Sequence, residues 1–126
     1  FRPVVAQVDE VKLTQVISNL VENAIKYNNM DGWVHVSLNA DHQFFYVRVE
    51  DSGIGIPKDS QGKVFERFYR VDKARSRETG GTGLGLSIVK NIILMHHGTI
   101  KLYSEEGMGT TFTFRIPLNY VEEDEK

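Results

Sequence analysis

Four groups of residues in this chain are of types, and at spacings, that could do chemistry. Asn19, Asn23 and Lys26 recur at i, i+4 and i+7, so at about 100° per residue two amides and an ammonium share one stripe of a helix, with Tyr27 bordering its apolar face. Amide oxygens are hard, neutral ligands for Mg²⁺ that leave phosphates to supply the negative charge, and the lysine can reach a phosphate. A solvated helix face would show the same stripe. Asp51-Ser52-Gly53-Ile54-Gly55-Ile56-Pro57 follows directly on an alternating segment. A carboxylate at a buried strand end, beside glycines that permit close approach, suits an exocyclic amine such as that of adenine. An ordinary Asp-Ser-Gly turn is the plainer account.

The third group, Gly81-Thr82-Gly83-Leu84-Gly85, has the spacing G-x-G-x-G and matches neither the dinucleotide fingerprint nor a P-loop. Glycines that open a helix bare N–H groups at its positive end, which attracts phosphate, although a flexible connector has the same composition. The fourth group lies between Glu66 and Glu78, where five basic residues (Arg67, Arg70, Lys73, Arg75, Arg77) outnumber three acidic ones for a local charge of +2. An arginine fork clamps a terminal phosphate well, and a charge-solubilised surface loop is the alternative.

Helices and strands must place these groups. Val4 to Val8 reads as a short strand, and Asp9 as the N-cap of a helix to about Tyr27 whose core face is Leu13, Val16, Ile17, Leu20 and Ala24. Trp33 to Leu38 alternates with Val34, Val36 and Leu38 inward, and Phe44 to Asp51 with Phe45, Val47 and Val49 inward, around an Asn39–His42 hairpin loop. That register puts Asp51 on the buried side. Pro57 suits a helix N1 position, Val64 to Phe68 a short helix or turn, and Phe65 and Phe68 anchor the aperiodic stretch that follows. Leu84 to His97 regains helical spacing and Gly98 is its C′ glycine, after which Thr99 to Ser104 and Thr110 to Pro117 alternate as strands. The order predicts an α+β fold, a two-layer sandwich with a mixed, largely antiparallel sheet of about five strands and three helices on one face. Residues 1–120 read as one domain and 121–126 as an acidic tail.

Composition narrows the function. A formal charge of −2 and a pI near 6.1 supply no global basic field for nucleic acid, so an anion site must be locally built. No apolar run of bilayer length and no signal peptide is visible, and the absence of cysteine excludes thiolate metal sites. The chain opens at Phe1 without an initiator Met and reads as a fragment of something larger.

Together these segments resemble the catalytic ATP-binding domain of bacterial sensor histidine kinases, which shares a Bergerat-type fold with gyrase and MutL ATPases. QVISNLVENAIKY at 15–27 is similar to the N box, DSGIGIP at 51–57 to the G1 box, FERFYRVDKARS at 65–76 to the F box and GGTGLGLSIV at 80–89 to the G2 box. GMGTTFTF at 107–114 resembles the last glycine-threonine segment. Each box is weak alone, but the ordered set spans nearly the whole chain.

The resemblance implies ATP and Mg²⁺ as cofactors. Asp51 would take the adenine amine with help from Thr111 through water, beside Gly53 and Gly55, while Ile56, Leu86 and Tyr27 enclose the ring. Asn23 would ligate Mg²⁺, Asn19 would support metal and phosphates, and Lys26 would contact phosphate. Arg70 and Arg75 would reach the γ-phosphate, and Gly81, Thr82, Gly83, Leu84, Gly85 and Leu86 would hold the phosphate chain. Water-splitting relatives carry a glutamate where Asn19 stands, and an amide cannot take a proton. The resemblance therefore implies transfer to a histidine on an absent dimerisation domain, a response regulator downstream, and a cytoplasmic domain of a protein anchored in the plasma membrane. None of His35, His42, His96 or His97 lies in an acceptor-like motif. A superfamily ATPase and a non-catalytic nucleotide-binding module are the competing functions.

The arginines of segment 69–83 need an anion partner, which predicts a lid. Hydrogen exchange from Tyr69 to Thr82 is expected to slow with ATP and not with ADP; equal protection in the apo, ADP and ATP states would rule lid closure out.

Overall fold

The computed structural model describes residues 9–66 and 85–118. Helix α1 (Glu10–Lys26) starts where the Asp9 carboxylate accepts from the Lys12 N–H at 3.1 Å, and Glu10 and Lys26 lie at the ends of the helix dipole that favour their charges. Val16, Leu20 and Ala24 form its buried stripe, with Leu13, Ile17 and Val21 partly covered beside them. After a turn in which Asp31 takes a positive φ of 64°, strands β1 (Val34–Ala40) and β2 (Phe44–Asp51) form a hairpin. Asp41 clips its loop: Oδ1 accepts the Gln43 and Phe44 N–H groups and Oδ2 the Tyr46 hydroxyl, each at 2.8 Å. Those donors hold its carboxyl below the ordinary range.

A 3-10 turn (Lys58–Ser60) follows Pro57, then helix α2 (Gly85–Met95) and the hairpin of β3 (Thr99–Glu105) and β4 (Gly109–Pro117). The four strands run in the order β1-β2-β4-β3 and every described pairing is antiparallel. Phe45, Val47 and Val49 of β2 and Phe112, Phe114 and Ile116 of β4 pack with both helices in one core. The other side chains of these strands form the opposite face, where the Arg115 guanidinium lies 4.5 Å from the centre of the Phe44 ring. The α+β, two-layer reading is correct. The expected strand at 4–8 and the lid at 69–83 fall outside the described residues.

Several local expectations shift. Pro57 caps a 3-10 turn at 58–60, ahead of the expected short helix or turn at 64–68, of which residues 64–66 are turn and bend and the last two are not described. Val36 and Leu38 do lie on the helix side, paired with Val49 and Val47, yet they remain 46% and 60% exposed. Strand β1 is an outer strand of the described sheet, and α1 lies mainly over β2. The end of α2 also differs: His97, not Gly98, takes the left-handed position at φ 63°, with Gly98 N–H bonded to Ile93 O at 2.9 Å and His97 N–H to Leu94 O at 3.0 Å. A Cβ at Gly98 would collide with the Arg115 carbonyl, so this glycine serves close approach to β4.

Leu20 is fully buried where α1 meets the sheet. Leu20→Ala is expected to lower unfolding stability by about 2–5 kcal/mol in denaturant titration, through lost burial and the cavity left behind; a loss within error would mean that α1 is not seated on this core.

Candidate functional site

The candidate site is organised along α1. Its end is joined to the Asp51 loop: Ile54 N–H donates to Tyr27 O at 3.0 Å. A Cβ at Gly53 would collide with that same carbonyl, so only glycine lets the two backbones meet. Asn29 Nδ2 donates to Ser52 O at 3.0 Å and Asn28 Nδ2 to Trp33 O at 2.9 Å, tying the turn after α1 to both neighbouring strands. Two turns back from Tyr27, Asn19 faces the start of α2: a Cβ on Gly85 would stand 4.0 Å from the Asn19 side-chain carbon. Asn23 and Lys26 lie between these points on the predicted stripe, and both amides are half-buried. From Asn19 to Tyr27 the helix rises about 12 Å, the scale of a nucleoside triphosphate from its base to its phosphates.

Asp51 ends β2 opposite Thr110 of β4, with its carboxylate on the helix side. Burial raises its pKa above the ordinary 3.8, opposed by hydrogen bonds from the backbone N–H groups of Gly53, at 2.8 Å, and Thr110. The loop beyond it is built into the β3–β4 hairpin. Gly55 has φ 73° and leaves no room for a side chain against the Glu105 carbonyl, while Gly107 N–H donates to Ile54 O at 2.7 Å. Ile56 N–H donates to Ser104 Oγ at 2.8 Å, and Gln61 Nε2 donates to Ile56 O at 2.9 Å and Ser104 O at 3.0 Å. Ile56 and Leu86 both reach the edge of the core, and Gly85 is the first residue of α2.

The structure thus groups Tyr27, Asp51, Gly53, Gly55 and Ile56 at one end of α1, and Asn19 and Gly85 further back along it. Arg70, Arg75, Gly81, Thr82, Gly83 and Leu84 lie outside the described residues. Thr111 is on the wrong face: it lines a cavity of about 430 Å³ on the opposite side of the sheet with Ser37, Asn39, Tyr46, Arg48, Tyr103 and Thr113. Alternation decides this, because Phe112, Phe114 and Ile116 point to the helices and Thr110, two residues before Phe112, points with them. Thr110 is therefore the hydroxyl beside Asp51, a residue legible from period two. Ser104 was legible in the same way, as the polar end of the inward series Ile100, Leu102, Ser104. Gln61 carried no signal, since it acts from a turn across 43 residues of sequence. Phe65 packs on the core, its ring meeting Phe112 edge-on at 6.0 Å, whereas Phe68 and the stretch the two were expected to anchor lie outside the described residues.

Mg²⁺ fits this donor set. Asn23 offers one neutral oxygen, suited to an ion that arrives with a triphosphate and keeps phosphate and water ligands. Among the described residues no three His, Asp or Glu side chains converge as a separate metal cage.

Residues 8–120 match the family model described as histidine kinase-, DNA gyrase B-, and HSP90-like ATPase. The chain is 48% identical over 126 residues to the sensor histidine kinase WalK of Bacillus subtilis (strain 168), covering 98% of this chain and 21% of that protein. It is 53% identical over 109 residues to the sensor-like histidine kinase SenX3 of Mycolicibacterium smegmatis (strain ATCC 700084 / mc(2)155), covering 86% and 28%. The chain thus spans between 21% and 28% of the length of these relatives. The solved mycobacterial sensor histidine kinase MprB superposes with a TM-score of 0.78 at 32% identity over 89% of this chain and 76% of that one.

A carboxyl whose pKa is raised by folding favours the folded state fully only below its ordinary value of 3.8, and that advantage is lost as pH rises through the raised value. At pH 7 the ionised Asp51 is therefore a cost to the empty fold. Asp51→Asn is expected to leave the nucleotide-free melting temperature at pH 7 equal or higher, while weakening adenine-nucleotide binding by about 1.5–3 kcal/mol in calorimetry. Unchanged affinity in the folded variant would remove Asp51 from the base site.

Proposed function

We propose that this chain, which belongs to the histidine kinase-, DNA gyrase B- and HSP90-like ATPase family, is the ATP-binding catalytic domain of a two-component sensor histidine kinase. On this reading the γ-phosphoryl of Mg-ATP passes to a histidine on a separate dimerisation domain. The observation that carries it is the arrangement around α1, whose end at Tyr27 is bonded to the loop beside the half-buried Asp51 carboxylate and which carries the Asn19 amide, about 12 Å of helix rise back from Tyr27, against the start of α2.

The residues then act in a consistent way. Asp51 accepts the adenine amine, and Tyr27, Ile56 and Leu86 form the apolar surround of the ring. Asn23 would hold Mg²⁺, with Asn19 and Lys26 beside the phosphates. Bound there, the ion would neutralise charge on the phosphates as the γ-phosphoryl leaves. Arg70 and Arg75 would meet the γ-phosphate, and Gly81, Thr82, Gly83, Leu84, Gly85 and Leu86 the phosphate chain. Asn19 cannot deprotonate water, so the domain holds ATP in place for an incoming imidazole rather than hydrolysing it, and the rate gain comes from positioning and charge neutralisation. A response regulator receives the phosphoryl in turn. Among the described residues no helix is long and apolar enough to cross a membrane, and we assign the membrane anchor to the rest of the protein.

None of the chain's four histidines lies in an acceptor-like motif. His96 is held at both ring nitrogens, with Nε2 accepting Asp9 N–H at 3.0 Å and Nδ1 2.8 Å from Ile92 O, while His35 and His42 lie on the surface of the β1–β2 hairpin. Incubated alone with γ-labelled Mg-ATP, the chain is expected to bind nucleotide and keep the label on it over minutes. Acid-labile label should appear only on an added dimerisation domain bearing the acceptor histidine. Label on this chain alone would contradict that assignment, and rapid release of phosphate would favour the ATPase function.

A further inference from the structure

Ser104 sits at a crossing of four chain segments. Its hydroxyl accepts the Ile56 N–H at 2.8 Å, donates to Gly109 O at 2.9 Å and lies 3.0 Å from Thr110 Oγ1. A serine hydroxyl has one proton and two lone pairs. The carbonyl of Gly109 has no proton to give, so it takes that of Ser104. The Ile56 N–H occupies one lone pair. The contact with Thr110 can then be a hydrogen bond in one direction only, with the Thr110 hydroxyl donating to Ser104 Oγ. Thr110 has spent its proton, and what remains on its oxygen is acceptor capacity.

This polarity matters because of where Thr110 stands. It is 7% exposed, directly opposite Asp51 in the β2–β4 register, and its own N–H bonds the Asp51 carboxylate. We propose that Ser104 is a positioning residue for base specificity: by taking the Thr110 proton it makes Thr110, like Asp51, an acceptor, so that this end of the site selects a nucleobase bearing an exocyclic amine over one bearing a carbonyl at the same place. Gln61 supports the arrangement, because its two bonds to Ile56 O and Ser104 O hold the loop and β3 in the geometry that the proton count requires. The inference rests on the reading of this site as one for an adenine nucleotide. A purine with a 6-oxo group would place an acceptor oxygen where adenine has its amine, against the lone pairs of Asp51 and Thr110, with its N1–H displaced to the neighbouring ring position, and an unpaired polar contact of that kind is what gives hydrogen-bonding sites their discrimination.

The test uses ATP and inosine triphosphate, which differ in the group at C6 and in the proton that the 6-oxo base carries on N1, with calorimetric titration of each. Wild type is expected to prefer ATP. Ser104→Ala frees the Thr110 hydroxyl to turn and donate, and should lower the ATP-to-inosine-triphosphate affinity ratio by roughly threefold to tenfold, mainly through better binding of the inosine nucleotide. Ser104→Thr keeps the hydroxyl and should keep the ratio. Thr110→Val, close to isosteric, removes the acceptor and should lower the ratio through weaker ATP binding, which provides a second route if Ser104→Ala does not fold. A structural role alone would weaken both ligands together, so an unchanged ratio in Ser104→Ala and Thr110→Val overturns the proposal. Failure of wild type to bind ATP at all would instead overturn the assignment of the site, and is distinguishable from the first outcome.

Discussion

The contact on which the rest of this structure depends is made without side chains: the carbonyl that closes α1, on Tyr27, meets the backbone at Gly53 and Ile54. A helix end buried against other chain must give its free carbonyls a partner, and here that partner is the loop leaving β2. One hydrogen bond satisfies Tyr27, fixes the height of α1 over the sheet and brings the Asp51 carboxylate beside the helix. The amides carried on earlier turns of α1 inherit their positions from it. Any side chain at Gly53 would push these two layers apart.

Sheet and helix are thus clamped at the point where the fold is least comfortable. Asp51 ends an otherwise apolar inward row, Phe45, Val47 and Val49, and burial works against its charge. Two backbone N–H groups offset part of that cost. The surrounding polar groups form a network that reaches from the turn after α1, through Asn28, Asn29 and Ser52, to the β3–β4 hairpin, through Ser104 and Gln61. Such a network is stiff because each member has several partners, and stiffness is what a domain needs if it works by holding a reactive phosphate still rather than by moving protons.

The long-period features were legible in the sequence. Helix α1, its cap at Asp9 and its buried stripe follow from spacing, as does the β2 alternation that turns Asp51 inward. What was not legible depended on neighbours distant in the chain. Val36 and Leu38 alternate correctly, but how far they are covered depends on where α1 lies, and nothing local encodes that. Gly98 looked like a helix terminator, whereas its missing side chain makes room for β4 and His97 takes up the left-handed turn. Thr110 and Thr111 are one residue apart in a pattern of period two, which puts their hydroxyls on opposite faces of the sheet.

That same period limits how the domain can vary in length. If one residue gained or lost in the turn at 106–108 were taken up as a one-residue slip of β4 along β3, Thr110 and Thr111 would exchange faces and Phe112 and Phe114 would turn outward with them. Such a slip would abolish the base contact and the core in one step, so that turn tolerates substitution more readily than any change of length that shifts the ladder. The opposite hairpin, clipped at Asp41 and remote from the base, is free of this restriction on function. Length variation among descendants of this sequence should therefore accumulate at the β1–β2 end and be purged from the β3–β4 end.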